Sequence, residues 1–279
     1  MHDAGAPTVR APTDRGEAVR VGVAGDWHGN TGVALAAVRT FAEQGVDLVL
    51  HLGDFGLLWP GNSGQKYHRK VERVCAEHSV RLLVTPGNHE HWTRTDRLPL
   101  EARDGFGEIG WVTDHVAVLP RAHRFKIGDR SFVSLGGAVS VDREWRTADI
   151  DWWAQEAIEP EHVHATVAGG PVDVFLAHDS PAAPYWTPAV AQICTTNPQD
   201  WPADAVVDAA VGRTLMRQAF EAIAPSLFLH GHYHVRDSAD VVLRSGGGCR
   251  IESLAADGEP GNVAILDLDT LRVEDLQVR

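Results

Sequence analysis

The chain has 279 residues, of which 44% are hydrophobic, and a formal net charge of −13 at pH 7. This length suits one large domain or two small ones, and the acidic balance disfavours electrostatic attraction to nucleic acids and to anionic membranes. No stretch of the sequence approaches the ~20 consecutive apolar residues that a transmembrane helix needs, so we expect no membrane association.

The cysteines and the N-terminal residues predict where the protein resides and where its fold begins. Cys75, Cys194 and Cys249 are widely spaced and form no Cys-x-x-Cys pair. This sparse, odd count predicts neither a disulfide framework nor a zinc knuckle, and it favours a reducing compartment such as the cytoplasm. Residues 1–18 lack an apolar core, so we predict a disordered leader rather than a signal peptide. Residues 19–279 are predicted to form a single domain.

The first half of the chain alternates strands with helices. Apolar runs predict strands at 19–24, 47–52 and 81–85, and helical spacing predicts helices at 33–44 and 66–78. Such a β-α-β-α-β run predicts parallel strands joined by right-handed crossovers. The second strand is a near-continuous apolar run, which is typical of a sheet that is covered on both faces.

An apolar loop at 53–64 follows the second strand. It contains Phe55, Leu57, Leu58 and Trp59. A loop of this kind either packs into the protein as a plug or forms a wall of a substrate pocket. We favour the plug, because large apolar side chains are usually buried.

Short strands and turns follow in the second half of the chain. We predict strands at 115–119, 123–127 and 131–135, which look antiparallel and begin a second sheet, and a short helix at 148–158. The predicted elements that follow are a strand at 172–176, a helix at 206–224, a strand at 226–230 and tail strands near 241–243, 250–253, 263–268 and 271–276. Two facing mixed β-sheets flanked by helices, in an α/β fold of four layers, account for this order.

Residues 179–205 are the least regular part of the chain. They contain five prolines together with Tyr185, Trp186 and Trp201. Long loops inside compact domains are usually functional or are insertions. Because this segment starts directly after His178, we favour a wall of the active site over a surface excursion.

Five of the predicted strands each lead into Asp, Asn or His. The side chains concerned are Asp26, His28, Asp54, Asn88, His89, His178, His232 and His234. Ligands bind outside the carboxyl ends of the strands in an open α/β sheet, so we expect these side chains to converge. Imidazole with carboxylate and amide oxygen is a ligand set for divalent transition metals. Seven of the eight suffice for two ions bridged by one carboxylate, which predicts a binuclear metal site.

The same strings resemble the calcineurin-like metallophosphoesterase superfamily. Its hallmark is Asp-x-His, Gly-Asp, Gly-Asn-His-(Asp/Glu), a lone His and Gly-His-x-His, in that order. The matching strings are Asp26-Trp27-His28, Gly53-Asp54, Gly87-Asn88-His89-Glu90, His178 and Gly231-His232-Tyr233-His234. The resemblance spans about residues 21–234 and implies a metallophosphoesterase sandwich of the αββα type.

The resemblance implies a role for each of these residues. One metal site would consist of Asp26, His28, Asp54 and His234, and the other of Asp54, Asn88, His178 and His232, with Asp54 bridging. His89 would act near the leaving-group oxygen, as a general acid or as a stabiliser of charge. The implied cofactors are two divalent ions, with Mn²⁺ favoured and Fe, Zn, Ni or Co as alternatives.

Further residues are candidates for supporting the site or for binding the substrate. Glu90 and Asp179 each neighbour a motif residue and could orient imidazole rings. An arginine fork can bind a phosphate, and an aromatic ring can stack on a base. The candidates for substrate contacts are Arg94, Arg97, Arg143, Trp59 and Tyr185. Ordinary surface charge or packing is the alternative for each of them.

Departures from named branches narrow the resemblance. The Ser/Thr phosphatase branch has Gly-Asp-x-x-Asp-Arg-Gly, whereas here Asp54 is followed by Phe55, Gly56 and Leu57. Purple acid phosphatases carry a tyrosine ligand at the position of Leu57. The class III cyclic-nucleotide phosphodiesterases share the Gly-Asn-His stem and stay open as an interpretation.

The sequence therefore predicts a binuclear metal-dependent phosphoesterase. A hydroxide that bridges the metals would attack phosphorus in line and hydrolyse a small phosphodiester or phosphomonoester. One alternative is a nuclease acting on nucleic-acid ends, which the acidic charge disfavours. The other is a metal-binding scaffold without activity, which the presence of His89 and all seven ligands disfavours. The sequence leaves the native substrate, the native metals and the oligomeric state open.

Overall fold

Two mixed β-sheets form the frame of the molecule. A computed structural model describes residues 8–9 and 19–278. The strands, numbered along the chain, are β1 Thr8–Val9, β2 Arg20–Ala24, β3 Leu48–His51, β4 Arg81–Val84, β5 Leu100–Ala102, β6 Glu108–Trp111, β7 Val116–Val118, β8 His123–Ile127, β9 Arg130–Leu135, β10 Val174–Ala177, β11 Leu227–His230, β12 Asp237–Val242, β13 Gly248–Ser253, β14 Val263–Asp267 and β15 Arg272–Asp275. Sheet 1 has the order β15-β14-β2-β3-β4-β7-β6-β5, and sheet 2 has the order β1-β8-β9-β10-β11-β13-β12.

Helices cover the outer face of each sheet. They are α1 Thr31–Glu43, α2 Gly61–His78, α3 Trp92–Thr95, α4 Pro160–Ala168, α5 Pro188–Thr196 and α6 Ala203–Ile223. α1 and α2 pack on sheet 1 through Phe41 and Val71, and α6 packs on sheet 2 through Phe220. Between the sheets, Leu50 and Leu176 belong to one shared core. The predicted sandwich of two mixed sheets flanked by helices is confirmed.

The strands at the centre of sheet 1 follow the predicted alternation. β2, β3 and β4 are parallel neighbours, and all four residues of β3 are buried, as expected for a strand covered on both faces. α1 begins where Asn30 Oδ1 accepts a hydrogen bond from Val33 N at 3.3 Å. α2 starts at Gly61, five residues before the predicted start at 66.

The antiparallel strands divide between the two sheets. β8 and β9 form the predicted hairpin, which belongs to sheet 2. β7 instead continues sheet 1, where it pairs in parallel with β4. The short strands β5 and β6 complete that edge of sheet 1; the sequence analysis did not predict them.

The helix predicted at 148–158 is wrong. Only Ala154–Glu156 forms a 3₁₀ turn, and Asp149 has a left-handed backbone with φ of 64°. The ring of Trp153 is buried and stacks on His91 at a centroid distance of 4.4 Å. Tertiary contacts of this kind override the local helical pattern.

The segment at 179–205 is more regular than predicted. It contains helix α5, whose first residue is Pro188. Proline is favourable at the first position of a helix, because its fixed φ suits the turn and its missing N–H has no partner there. The prolines therefore mark the start of this helix as well as the surrounding loops.

The predicted leader lies mostly outside the described residues. Thr8 and Val9 form β1, which pairs in parallel with Lys126 and Ile127 of β8; the other residues of 1–18 are not among those described. Within the described part of the chain, no helix combines the length and the apolar character needed to cross a membrane.

Candidate metal centre

The eight motif residues converge at the carboxyl ends of five strands. Asp26 and His28 follow β2, Asp54 follows β3, and Asn88 and His89 follow β4, all in sheet 1. His178 follows β10, and His232 and His234 follow β11, both in sheet 2. Backbone hydrogen bonds tie these loops together, including one from Asp26 N to Gly53 O at 2.9 Å and one from His28 N to Asp54 O at 2.7 Å. The predicted convergence is therefore observed.

The backbone is left-handed at five of these residues. The φ angles are 53° at Asp26, 45° at His28, 52° at Asp54, 71° at His232 and 55° at His234. Residues other than glycine rarely adopt this region, and such conformations concentrate at functional sites because surrounding contacts must hold them. The loops therefore hold these five residues in backbone conformations that are unfavourable for residues other than glycine.

Two motif glycines are required by close approach to the carboxylates. A Cβ atom at Gly87 would lie 2.2 Å from Asp54 Oδ1, and one at Gly231 would lie 2.1 Å from Asp26 Oδ2. Both distances are too short for any side chain. The glycines therefore leave the space in which the two carboxylates sit.

The first candidate metal group contains Asp26, His28, Asp54 and His234. One potential ligand atom from each residue lies within 4.8 Å of the others. His28 Nε2 is 3.4 Å from Asp54 Oδ2, and His234 Nε2 is 3.5 Å from Asp26 Oδ1. Both carboxylates are buried. The group matches the first predicted metal site.

The second candidate group contains Asp54, His178 and His232. His178 Nε2 is 3.4 Å from Asp54 Oδ1 and 2.9 Å from Asn88 Oδ1, which adds the amide oxygen to the group. The two oxygens of Asp54 thus face different groups, Oδ2 towards His28 and Oδ1 towards His178. Asp54 therefore belongs to both groups of potential ligands.

Backbone carbonyls and Asp257 fix the orientation of two imidazole rings. His178 Nδ1 lies 2.7 Å from Leu52 O. His28 Nδ1 lies 3.0 Å from Asp26 O and 3.4 Å from Asp257 Oδ1. When Nδ1 donates to these acceptors, Nε2 is left with its lone pair towards the group. Asp257 was not predicted, because no motif surrounds it.

Glu90, a candidate for orienting an imidazole, instead binds the backbone of the loop that follows Asp54. Its buried carboxylate accepts hydrogen bonds from the N–H groups of Phe55, Gly56 and Leu57 at 2.9, 3.1 and 2.6 Å. Burial and the charge of Asp54 raise the pKa of Glu90 to about 7, against these donors. Phe55 and Leu57 are fully buried, so at these two residues the apolar loop at 53–64 packs into the protein as predicted.

Asp179 also has partners other than an imidazole. Its Oδ1 accepts hydrogen bonds from Tyr233 Oη at 2.7 Å and from Ser180 N at 2.7 Å. The carboxylate therefore fixes Tyr233, which lies between His232 and His234 in the chain. Of the two interpretations considered for Asp179, orienting an imidazole and ordinary surface charge, neither describes this buried carboxylate.

A hydrogen-bond chain fixes the amide of Asn88. Asn88 Nδ2 donates to Ser140 Oγ at 3.0 Å, and Ser140 Oγ donates to Glu156 Oε2 at 2.8 Å. Ser140 N and Trp152 Nε1 both donate to Glu156 Oε1, at 2.6 and 3.0 Å. All three residues of the chain are buried. Because Nδ2 is occupied by Ser140, Asn88 Oδ1 is turned towards His178.

The electrostatics of the cluster suit cations. The pKa of the Asp54 carboxyl lies well below its usual range: burial opposes this, but the neighbouring His178 and His89 lower it. Burial also works against protonation of His178 and His28, yet Asp54 raises their pKa values to about 10 and about 9. Asp54 therefore stays ionised and attracts protons onto two rings, and divalent ions compete for the same positions. The residues fit the implied metals.

His89 lies beside the shared carboxylate but outside both groups. Its N–H donates to Asp54 Oδ1 at 2.9 Å, and its Nε2 is 3.7 Å from Asp54 Oδ2. Arg146 Nη2 lies 2.9 Å from the same Nε2 and also pairs with Asp142. Because arginine can only donate, His89 Nε2 accepts this hydrogen bond. Arg146 was not predicted from the sequence, which instead indicated Arg143, three residues earlier.

Two cavities of similar size meet at His89. The metal-side cavity has a volume of about 320 Å³ and is lined by His28, Asp54, Asn88, His89, Val141, Asp142, Ile193, Cys194, Asn197, Gln199, Trp201, Val206, Ala209, Arg213, His232, Tyr233 and His234. The Trp59 cavity, of about 330 Å³, is lined by Trp59, Pro60, Ser63, His89, Arg146, Ile150, Asp151 and Trp153. A larger cavity of about 590 Å³ beside Trp92 and Arg121 contains none of the eight motif residues.

The predicted substrate contacts have different locations. Trp59 lines the cavity named after it, and its Nε1 donates to His89 O. Arg94 donates to Leu58 O at 3.1 Å and lines neither of the two cavities at His89. Arg143 forms ion pairs with Asp204 and Asp208 of α6.

Two further candidates complete this set. Tyr185 is buried against Phe220 in the core beneath α6, so it contacts no part of the metal-side cavity that the described residues form. Arg97 lines none of the three cavities. A contact between the substrate and Tyr185 is therefore disfavoured by its burial in the core.

Comparisons with known proteins bear on the family and the fold of the chain. Residues 19–236 match the calcineurin-like phosphoesterase family, whereas no curated protein matches the chain. One solved structure superposes with a TM-score of 0.58 at 12% identity, over 94% of this chain and 100% of that chain. The protein TT1561 of Thermus thermophilus does so with a TM-score of 0.54 at 10% identity, over 94% and 100% of the two chains. These two likenesses show the fold.

A third solved structure, a dimetal phosphatase from Danio rerio, superposes less closely. Its TM-score is 0.45 at 13% identity, over 89% of this chain and 92% of that chain. The family match covers most of the chain and includes all eight motif residues. The chain belongs to the calcineurin-like phosphoesterase family.

Proposed function

We propose that the protein hydrolyses a small phosphodiester with the help of two divalent ions that share Asp54. The observation that carries this proposal is the division of the Asp54 carboxylate between the two groups, with Oδ2 at 3.4 Å from His28 Nε2 and Oδ1 at 3.4 Å from His178 Nε2. A shared carboxylate holds two cations side by side, which is the arrangement used in two-metal hydrolysis of phosphoesters.

The residues of each group have defined roles in this proposal. Asp26, His28 and His234 would hold one ion with Asp54, and Asn88, His178 and His232 would hold the other. Bound ions supply an activated water and neutralise phosphate oxygens. Imidazole and carboxylate suit Mn²⁺, and Fe, Zn, Ni and Co bind the same ligand types.

His89 and Arg146 act on the leaving-group side. Both line the Trp59 cavity, and His89 also lines the metal-side cavity. The guanidinium of Arg146 brings a fixed positive charge to the place where the leaving oxygen becomes negative. His89 Nε2 is an acceptor and carries no proton while Arg146 is bound to it. In this proposal the substrate displaces Arg146, Nε2 takes up a proton from solvent, and His89 then passes that proton to the leaving oxygen.

Two cavities favour a diester over a monoester. A phosphodiester carries two organic groups, and cavities of about 320 and about 330 Å³ adjoin His89. Ile193, Cys194 and Trp201 of the 179–205 segment line the first cavity, which supports the interpretation of this segment as an active-site wall. Volumes of this order suit groups of nucleotide size. No feature of the site favours a nuclease or a scaffold.

The location of the protein in the cytoplasm is a prediction that rests on its cysteines. Cys75, Cys194 and Cys249 are all free. Free thiols support a reducing compartment such as the cytoplasm. The oligomeric state is left open.

Hydrolysis of bis-p-nitrophenyl phosphate beside p-nitrophenyl phosphate tests the proposal. The protein is stripped of metal, reloaded with Mn²⁺ and compared with its metal-free form. We expect the diester to be cleaved faster, and only by the loaded protein. Faster cleavage of the monoester would contradict the proposal that the substrate is a phosphodiester. No cleavage of either ester with two ions bound would contradict the catalytic role.

A further inference from the structure

A buried arginine lines the metal-side cavity without a carboxylate partner. Arg213 lies near the middle of α6 and is only 7% exposed. No carboxylate of the described residues lies within 4.0 Å of its guanidinium, and its Nε has no hydrogen-bond partner. Arg213 is the only Lys or Arg among the described residues that line this cavity.

Other arginines of the region are neutralised. Arg143 pairs with Asp204 and Asp208, and Arg146 pairs with Asp142. Arg213 differs from both. Burial lowers its pKa, but Tyr233 and then Asp179 raise it above its ordinary value; Asp179 lies beyond 4.0 Å, and its Oδ1 accepts hydrogen bonds from Tyr233 and Ser180. A buried cation without a carboxylate in direct contact is unfavourable, so such groups are usually paired. Arg213 is therefore available to an anion that enters the cavity.

The surroundings define which anion fits. The guanidinium is always charged, and its planar fork matches the oxygens of a phosphate. The lining of the same cavity also includes the candidate metal ligands His232 and His234 and the apolar side chains of Val206 and Trp201. A substrate that fills it can place one phosphate at the metal groups, an organic part against Trp201 and a second phosphate at Arg213.

We propose that Arg213 forms a second phosphate subsite, so that the preferred substrate is a phosphoester with a further phosphate on the group held in the metal-side cavity. This inference rests on the function proposed above and names a narrower class of substrate. It assigns to Arg213 a role in binding and specificity, while hydrolysis itself depends on the metal groups and His89.

Binding of two nucleotides to the Mn²⁺-loaded protein tests this subsite. Thymidine 5′-monophosphate has one phosphate and thymidine 3′,5′-bisphosphate has two, and either phosphate of the latter can occupy the metal groups. Charged hydrogen bonds of this kind change affinity by about 10- to 100-fold, so the wild-type protein is expected to bind the bisphosphate that much more tightly. Titration calorimetry measures both affinities without requiring turnover.

Two variants of Arg213 and one control separate the subsite from a structural role. Arg213→Met should reduce the preference for the bisphosphate to near unity and leave the affinity for the monophosphate unchanged. Arg213→Lys keeps the charge but loses the fork, so an intermediate preference is expected. Arg217→Met is the control: Arg217 lies one turn further along α6, donates to Ala183 O at 2.7 Å and does not line the cavity. It should keep the full preference.

The outcomes separate this proposal from the proposed function. Equal affinity of the wild-type protein for the two nucleotides overturns the subsite, whether or not Arg213→Met folds. A preference that persists in Arg213→Met also overturns it. If the loaded protein cleaves no phosphoester, the proposed function fails, while the ratio of the two affinities still decides the role of Arg213.

Discussion

The floor and the wall of the metal-side cavity are built in different ways. The floor is formed by five of the seven candidate ligands, namely His28, Asp54, Asn88, His232 and His234. All seven follow a strand, and all except Asn88 and His178 have a left-handed backbone. The wall comes mainly from α5 and α6, which contribute Ile193, Cys194, Val206, Ala209 and Arg213. The floor is held by backbone geometry, whereas the wall presents helix side chains that can change without altering the metal groups. Under the proposed function, the chemistry therefore belongs to the floor and substrate selection to the wall.

Asp54→Asn should have the largest effect, because Asp54 belongs to both groups of the floor. An amide loses the negative charge and one metal-binding oxygen, so both ions should be bound far more weakly. Loss of the activated water and of charge neutralisation should lower turnover by more than ~10⁴-fold on every substrate. Elemental analysis after reloading with Mn²⁺ measures the metal. A variant that keeps two ions would show that Asp54 is not shared.

His89→Ala should leave the metals bound but lower turnover. Loss of a positioned acid typically costs about 10²- to 10⁴-fold, and more for esters with poor leaving groups. The measurement is turnover of two diesters that differ in their leaving group, together with the metal content. His91→Ala is the matched control, since His91 stacks on Trp153 and lines neither cavity at His89. Equal rates for both variants would refute the catalytic role of His89.

Ser140→Ala should affect one metal group and spare the other. The substitution removes the acceptor of Asn88 Nδ2 and lets the amide turn away from His178. Partners that orient a ligand contribute about 10- to 100-fold to metal affinity, so the second ion should be bound that much more weakly. Calorimetry of Mn²⁺ binding resolves the two steps.

Ser134→Ala provides the control for Ser140→Ala. Ser134 is equally buried, but its Oγ contacts Thr85 Oγ1 at 3.0 Å and not a candidate ligand. Metal affinity should stay at the wild-type value in this variant. Equal weakening of both binding steps in Ser140→Ala would mean that the hydrogen-bond chain does not act on Asn88 alone.

Glu156→Gln should have the smallest effect, one on stability. Burial raises the pKa of Glu156 from 4.5 to about 7, against the hydrogen bonds from Ser140 and Trp152. Between pH 4.5 and about 7, the carboxyl group is protonated in the folded chain but ionised in the unfolded chain. The free energy of unfolding therefore falls as the pH rises through this range. The loss amounts to at most about 3 kcal/mol.

The variant removes this pH-dependent loss. In metal-free protein, the Tm of Glu156→Gln relative to the wild type should rise between pH 5 and pH 8. Glu90 also has a raised pKa of about 7, but it is present in both proteins and cancels in the comparison. A difference in Tm that is constant across this range would contradict the raised pKa.

The sequence predicted the floor better than the wall for a physical reason. Asp54 and His178 each follow an apolar strand, and parallel strands bring their carboxyl ends together. Local signals therefore suffice to place these ligands. Arg146 and Arg213 reach the site through an irregular loop and a helix in the outer layer, where no spacing in the sequence distinguishes them from surface charges.

The supporting residues were missed for a related reason. Glu90 was a candidate for orienting an imidazole but binds the N–H groups that follow Asp54. Asp257 contacts His28 from a loop 229 positions further along the chain. Adjacency in sequence to a ligand says little about which partner a buried carboxylate finds, because the partners are set by tertiary packing. The helix predicted at 148–158 was wrong for the same reason.

Anomalous diffraction from crystals of the Mn²⁺-loaded protein would show whether two ions share Asp54. We expect two peaks, one on either side of the Asp54 carboxylate. One should contact Asp26, His28 and His234, and the other should contact Asn88, His178 and His232. A single peak, or two peaks without Asp54 between them, would contradict a binuclear centre that shares this carboxylate.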